Sequence, residues 1–322
     1  MKKKLVTWEL IRESLLQDIP VMLLYVLQSE GSSPGRQGFF MAVNAVGNMA
    51  GSIGGGIMEH KFVEMAREQL MQHQEVAVVR RQVHDKSSPR DQSGMICSGE
   101  QTILLYRVDK KDVGLIQQII NCLSQYRNGL LQLSPAGLEF KEQTGRSAFV
   151  MLSPDDWRYT EQLGYQDHLY LVGGGHCSLA CSKIMSMLDF YIHVYDNRPG
   201  LNTFLRNEWA HEKVIVEDYS QLKGMIPEGP HSYVVVMTMG YRSDDVVIRA
   251  LLYKQFRYIG MLGSEAKIKQ LFEEYQAAGI SPQLLQRIHA PVGMPIKSQT
   301  PEEIAVSIAA EIIRERNAVT PG

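Results

Sequence analysis

Two short stretches set glycines beside helix starts, a combination suited to holding an anion. Ser52 to His60 reads SIGGGIMEH, and Leu171 to Ser178 reads LVGGGHCS. In each, an apolar run stops, three glycines follow and a helical pattern begins. Glycines carry no Cβ, so a ligand can approach their backbone, and the first amides of a helix sit at the positive end of its dipole. The second stretch gives G-x-G-x-x-S. There Gly173 serves the tight turn, Gly175 the close approach of a phosphate, and Ser178 the packing of helix on strand. The next apolar run, FYIHVYD, ends in Asp196, about twenty residues on, where an acidic side chain commonly accepts from a ribose hydroxyl. The pattern predicts a nucleotide-like or phosphate-bearing ligand. A Rossmann-shaped domain with nothing bound at the turn is the other reading, since fold does not fix ligand. At the first stretch, Gly54, Gly55 and Gly56 either cradle an anion or only permit a sharp turn. Glu59 is either functional or a carboxylate favoured by the helix dipole.

Other chemistry is sparse. Cys177 and Cys181 are four apart and would share a helix face, but no histidine or second cysteine pair accompanies them, so they read as small core residues. The nine histidines are scattered, with no HxH or HExxH spacing. The four cysteines show no disulfide framework.

The elements that must position these residues point to two domains, at 1–160 and 161–322, since 322 residues exceed one ordinary core. The N-terminal start reads as an amphipathic helix with Trp8, Ile11, Leu15 and Ile19 on one face. Residues 20–28, FFMAVN, NMAGSI, VAVVRRQV and QTILLYRV read as strands, and Phe62, Met65, Ala66, Gln69 and Leu70 as a helical stripe. From 112 to 160 the reading is a helix, weak strands and a polar connector containing SPDDW. Beyond Asp167 the runs HLYLV, FYIHVY, EKVIV, SYVVVM and RYIGML alternate with helical stretches, the signature of a parallel, doubly wound sheet. Thr300-Pro301-Glu302-Glu303 announces a final helix. The fold class is therefore α/β, with a C-terminal Rossmann-like doubly wound sheet and an N-terminal α+β domain. A net charge of −2 argues against nucleic acid as the main partner. No run approaches the roughly 18 apolar residues of a membrane span, so a cytoplasmic protein is expected.

Taken in order, SEGSSPGRQGFFMAV, AGSIGGGIMEH, CSGEQTILL, YLVGGGHCSLA, VYDNRPG, YIGMLGSEAKI and HAPVGMPIKSQTPEEIAVSIAAEIIRER resemble the xanthine dehydrogenase accessory family, the XdhC/CoxI-type proteins, over nearly the whole chain. The resemblance implies a non-catalytic carrier of molybdenum cofactor. Such a carrier binds the cofactor, shields it while a cysteine desulfurase exchanges an oxo for a sulfido ligand, and assists insertion into a molybdenum hydroxylase of the xanthine dehydrogenase kind. On that reading the cofactor meets Ser32, Arg36, Gly54, Gly55, Gly56 and Glu59 on one side, and Gly173, Gly174, Gly175, His176, Asp196, Gly263 and Ser264 on the other, across an interdomain cleft. Arg36 is a forked phosphate donor or a solvated loop arginine. Cys97 is a thiolate touching molybdenum or relaying sulfur, or a buried and inert thiol. The chain departs from the family pattern at Ser98, at Ser178, and at Met239-Gly240-Tyr241, where relatives carry His and Asp. A homodimer is the default assembly. The competing function is an NAD(P)-dependent oxidoreductase using the Rossmann domain. It gives SIGGGIMEH no job and lacks a Tyr-x-x-x-Lys or a placed histidine.

Overall fold

The computed structural model describes residues 2–72, 77–83 and 99–318. The chain forms two compact units, Met1–Gly164 and Tyr165–Gly322.

In the first unit, α1 (Lys2–Leu16) buries Trp8, Ile11 and Leu15. Ile19 lies past its end, because the chain reverses at Asp18, which sits at φ 60°. The strands β1 (Val21–Gly31), β2 (Phe40–Asn44) and β3 (Met49–Gly51) precede α2 (Gly56–Met71), and β4 (Val78–Val83) and β5 (Gly99–Val108) follow it. They make one antiparallel sheet in the order β3-β2-β1-β5-β4. Alternation along β1 sends Leu23, Tyr25 and Leu27 to a core shared with α1 and α3 (Val113–Ser124), and Met22, Leu24 and Val26 to a core under α2. The stretch expected to be weak strands and a polar connector is instead a complete antiparallel sheet. Its strands β6 (Gly129–Ser134), β7 (Gly137–Lys141), β8 (Ala148–Ser153) and β9 (Asp156–Leu163) run in the order β7-β6-β9-β8. SPDDW is the hairpin joining β8 to β9, with Trp157 buried.

The second unit is a six-stranded sheet in which every pairing is parallel. Its elements are β10 (His168–Val172), α4 (His176–Ser186), β11 (Tyr191–Asp196), α5 (Asn202–Leu205), β12 (Glu212–Ile215), α6 (Leu222–Met225), β13 (Gly229–Val236), α7 (Tyr241–Leu251), β14 (Phe256–Met261), α8 (Glu265–Ala277), α9 (Pro282–Leu285), β15 (Ile288–His289) and α10 (Pro301–Asn317). The order β12-β11-β10-β13-β14-β15 is the dinucleotide-fold order 3-2-1-4-5-6. Alternate residues of β10 divide two cores. Leu169 and Leu171 face α4 and α10, whereas Tyr170 and Val172 face α7 and α8. Helices therefore cover both sheet faces, which makes this a Rossmann-like doubly wound domain. The final helix opens as read: Thr300 Oγ1 accepts the Glu303 amide at 3.2 Å, and the Glu303 carboxylate returns to the Thr300 amide. No helix among the described residues is long and apolar enough to cross a membrane.

Candidate functional site

In the first unit the sequence-predicted loops do come together. Gly35, Gly54 and Gly99 lie backbone against backbone: a Cβ on Gly54 would meet the Gly35 amide nitrogen at 2.5 Å, and one on Gly99 the Ser33 nitrogen at 2.6 Å. The fully buried Gln101 ties them, donating to the Gly35 carbonyl at 2.7 Å. Gln101 escapes a sequence reading, because a glutamine inside an apolar strand carries no motif. Ser32 and Arg36 are exposed, and Arg36 donates to the Gly31 carbonyl at 2.9 Å.

The amides of this corner are already occupied. Glu59 Oε2 accepts from Ser52 Oγ at 2.6 Å, from the Ile53 amide at 2.9 Å and from the Gly55 amide at 3.0 Å. The Gly54 amide donates to Ser52 Oγ at 3.0 Å. The corner thus binds an anion, and the anion is a side chain of its own helix. Gly54, Gly55 and Gly56 all have positive φ, at 130°, 76° and 70°, so the triplet makes the sharp turn that glycine permits. An outside anion would have to displace Glu59. Cys97, expected beside this cluster, lies outside the described residues.

In the second unit Gly173, Gly174, Gly175, His176, Asp196, Gly263 and Ser264 all lie at the carboxyl ends of the parallel strands, the edge where open α/β sheets bind ligands. Gly173 has φ 106°, and a Cβ there would run into the Met237 carbonyl oxygen. Only glycine lets the loop after β10 pass that close to the loop after β13. Gly174 is buried against Phe204 and Thr203, whose Oγ1 donates to its carbonyl at 2.6 Å. Gly175 differs: a Cβ there would meet nothing within 4 Å, and the same holds for Gly240 on the facing loop. These loops lead to α4 and α7 on opposite sheet faces, so the strand order reverses between them and leaves a crevice. α4 has no side-chain cap and no acidic residue in its first turn, which leaves its dipole end uncompensated. His176 is exposed at its first position.

Asp196 does not act as predicted. It is fully buried, and both of its oxygens are taken. Oδ1 accepts from the Arg198 amide at 2.9 Å and Arg198 Nε at 2.8 Å; Oδ2 accepts from the Gly174 amide at 2.6 Å and Arg198 Nη2 at 2.8 Å. Burial pushes the Asp196 carboxyl up, but the Arg198 guanidinium and the two amides outweigh it and hold it below the ordinary carboxylate range. Arg198 is not among the sequence-predicted site residues, although its signal, an arginine two residues after the strand-end aspartate, is in VYDNRPG. Asp244 is not predicted as a site residue either. It is fully buried, accepts from the Thr238 amide at 3.1 Å and Thr238 Oγ1 at 2.6 Å, and pairs with Lys267. Ser264 caps α8 through the Lys267 amide at 3.3 Å.

Among the described residues no group of three His, Cys, Asp or Glu side chains is placed to hold a metal. Cys181 is a core thiol pushed up to about 12 by burial, with Cys177 packed beside it.

The fold and this edge define a two-unit protein whose C-terminal half is a Rossmann domain with an open glycine corner at its switch point. Residues 169–312 match the XdhC Rossmann domain, and residues 14–81 match the XdhC and CoxI family. The chain belongs to the XdhC and CoxI family. It is 23% identical over 307 residues to YqeB of Escherichia coli K12, covering 95% of this chain and 45% of that protein. It is 30% identical over 161 residues to a Bacillus subtilis 168 protein named as a probable xanthine dehydrogenase subunit, covering 50% of this chain and 46% of that one. The matches span about half the length of these curated relatives. A crystal structure from Bacillus halodurans, named as a xanthine dehydrogenase, has the same fold over 98% of both chains, with a TM-score of 0.70 at 24% identity.

Proposed function

We propose that this chain is an accessory protein of a xanthine dehydrogenase-type molybdenum hydroxylase, carrying molybdenum cofactor as cargo through sulfuration by a cysteine desulfurase and on to insertion. Family membership and the name of the Bacillus subtilis relative support the hydroxylase link. The observation that carries the cargo reading is the open corner at Gly175. Molybdopterin is a flat, phosphate-bearing pterin whose dithiolene holds the metal. The crevice offers what such a molecule requires: glycines whose missing Cβ atoms leave space at Gly175 and Gly240, an uncapped helix start at α4, and the Arg198 cation. In this reading the α4 amides hold the phosphate, and the exposed thioether of Met239 gives the ring an apolar, polarizable contact. The filled corner at Glu59 serves to set the first unit's loops. The chain binds and shields its cargo, and the chemistry belongs to its partners.

The test is pterin content. Protein purified from a molybdate-fed host, then denatured and oxidised, is expected to release fluorescent pterin close to one per chain; release no greater than from an unrelated control protein contradicts the reading. A second reading, a nicotinamide-dependent oxidoreductase, is favoured by the 3-2-1-4-5-6 strand order. It predicts tightly held dinucleotide and no pterin in the same assay.

A further inference from the structure

The four donors on Asp196 decide what the crevice can select. A carboxylate has about four acceptor sites, and the amides of Gly174 and Arg198 together with Nε and Nη2 of Arg198 fill them. The group is also fully buried. A ribose diol reaching this strand end therefore finds no free acceptor on Asp196, unless it breaks charge-assisted bonds that are among the stronger in a protein. It finds a guanidinium instead. The Arg198 side chain keeps about a third of its surface exposed (32%). Among the described residues its Nη1 donates to the Met239 sulfur alone, at 3.3 Å, a weak acceptor that an anionic oxygen readily outcompetes. Two residues further along the loop, a Cβ on Gly200 would meet nothing within 4 Å. The neutral pair formed by Asp196 and Arg198 thus presents its donor side outward.

We propose that the crevice at the ends of β10 and β11 selects a ligand with a phosphomonoester at the ribose position beside Arg198, an NADP-type dinucleotide over the NAD-type form. Arg198 is the specificity-determining residue, and Asp196 is a positioning residue that holds its fork. The inference rests on the reading that this crevice takes a nucleotide-like anion. It goes beyond the cargo role, because it assigns the same crevice a second small ligand that competes there with the cargo.

NADPH and NADH differ only in the group in question, so titrating each into the full-length protein, followed by nicotinamide fluorescence, isolates it. The expected result is NADPH binding about tenfold tighter, as for one charge-assisted phosphate contact. Arg198→Gln should erase the preference for NADPH over NADH, and Arg198→Lys should restore only part of it, because a point charge replaces the fork. Should Arg198→Gln fail to fold with Asp196 left unpaired, competition by 2′,5′-ADP against 5′-AMP on the unaltered protein measures the same preference. NADH binding as well as or better than NADPH, or neither binding, overturns the proposal. Pterin retained by a protein that binds neither would sink this inference alone and leave the carrier reading standing.

Discussion

Glu59 accepts the Gly55 amide at 3.0 Å, so a helix reaches back to fill the anion cradle at its own entrance. The consequence is a division of labour between two corners that look alike in sequence. The corner at Gly54 to Gly56 is closed by its own carboxylate, whereas the one at Gly175 stands open.

Removing that carboxylate should cost stability. Glu59→Ala leaves the Ser52 hydroxyl and the Ile53 and Gly55 amides without their partner, a loss of about 1–2 kcal/mol. Urea unfolding measures it. A variant as stable as the parent would show that the cradle does not depend on Glu59.

Neighbouring glycines of the second corner should respond in opposite ways. Gly173→Ala places a Cβ against the Met237 carbonyl oxygen at φ 106°, a strain on the order of 3 kcal/mol or more, and little folded protein is expected. Gly175→Val meets open space at φ −72° and ψ −169°, an extended conformation that suits a β-branched residue. It should melt with the parent. Circular dichroism melts of both variants check this contrast, and equal melting of the two would contradict the geometry.

The pair of fully buried Asp244 and partly exposed Lys267 predicts a double-mutant signature. Lys267→Met strands a fully buried carboxylate and should cost about 3 kcal/mol. Asp244→Asn combined with Lys267→Met should recover part of that loss, because no net charge remains buried. Strictly additive losses by urea titration would show that the two side chains do not interact.

A histidine cluster sets the acid limb. His168 Nδ1 lies 3.1 Å from His193 Nε2, His193 Nδ1 lies 3.0 Å from Glu212, and His193 stacks on Tyr170. Burial lowers His193 to about 4, against the opposing pull of Glu212; burial, with His193 nearby, lowers His211 to about 4. A histidine kept neutral by the fold is protonated first in the unfolded chain. The stability it contributes is therefore whole above pH ~6.5 and falls as pH drops from there towards 4. Unfolding free energy measured across that window should slope downward toward acid, and less steeply in His193→Asn. A flat profile from pH 6.5 to 4.5 would contradict the burial.

Much of this architecture is legible in the sequence because it rests on local pattern. The strand ends around Gly173 and Asp196 show in apolar runs bounded by turn residues. What escapes depends on tertiary placement. The pattern puts Asp196 at a strand end, where it is, but nothing in its spacing can show that the Arg198 fork folds back on it. Glu59 is visible as a first-turn carboxylate, yet its return to Ser52 and Gly55 needs the three-dimensional turn. The sheet β6 to β9 reads only as weak strands and a polar connector; within it, β8 is exposed along most of its length and so lacks the inside-outside alternation that marks a strand. At two residues, β15 is too short to leave a pattern.

Whether the Gly175 corner holds the cargo is read from the pterin released by Gly175→Val set against that released by the unaltered protein, both purified from a molybdate-fed host. An open corner at Gly175 that holds the cargo predicts a normally folded variant with its pterin largely lost. A folded variant that carries as much pterin as the parent would place the cargo elsewhere and contradict a role for the Gly175 corner.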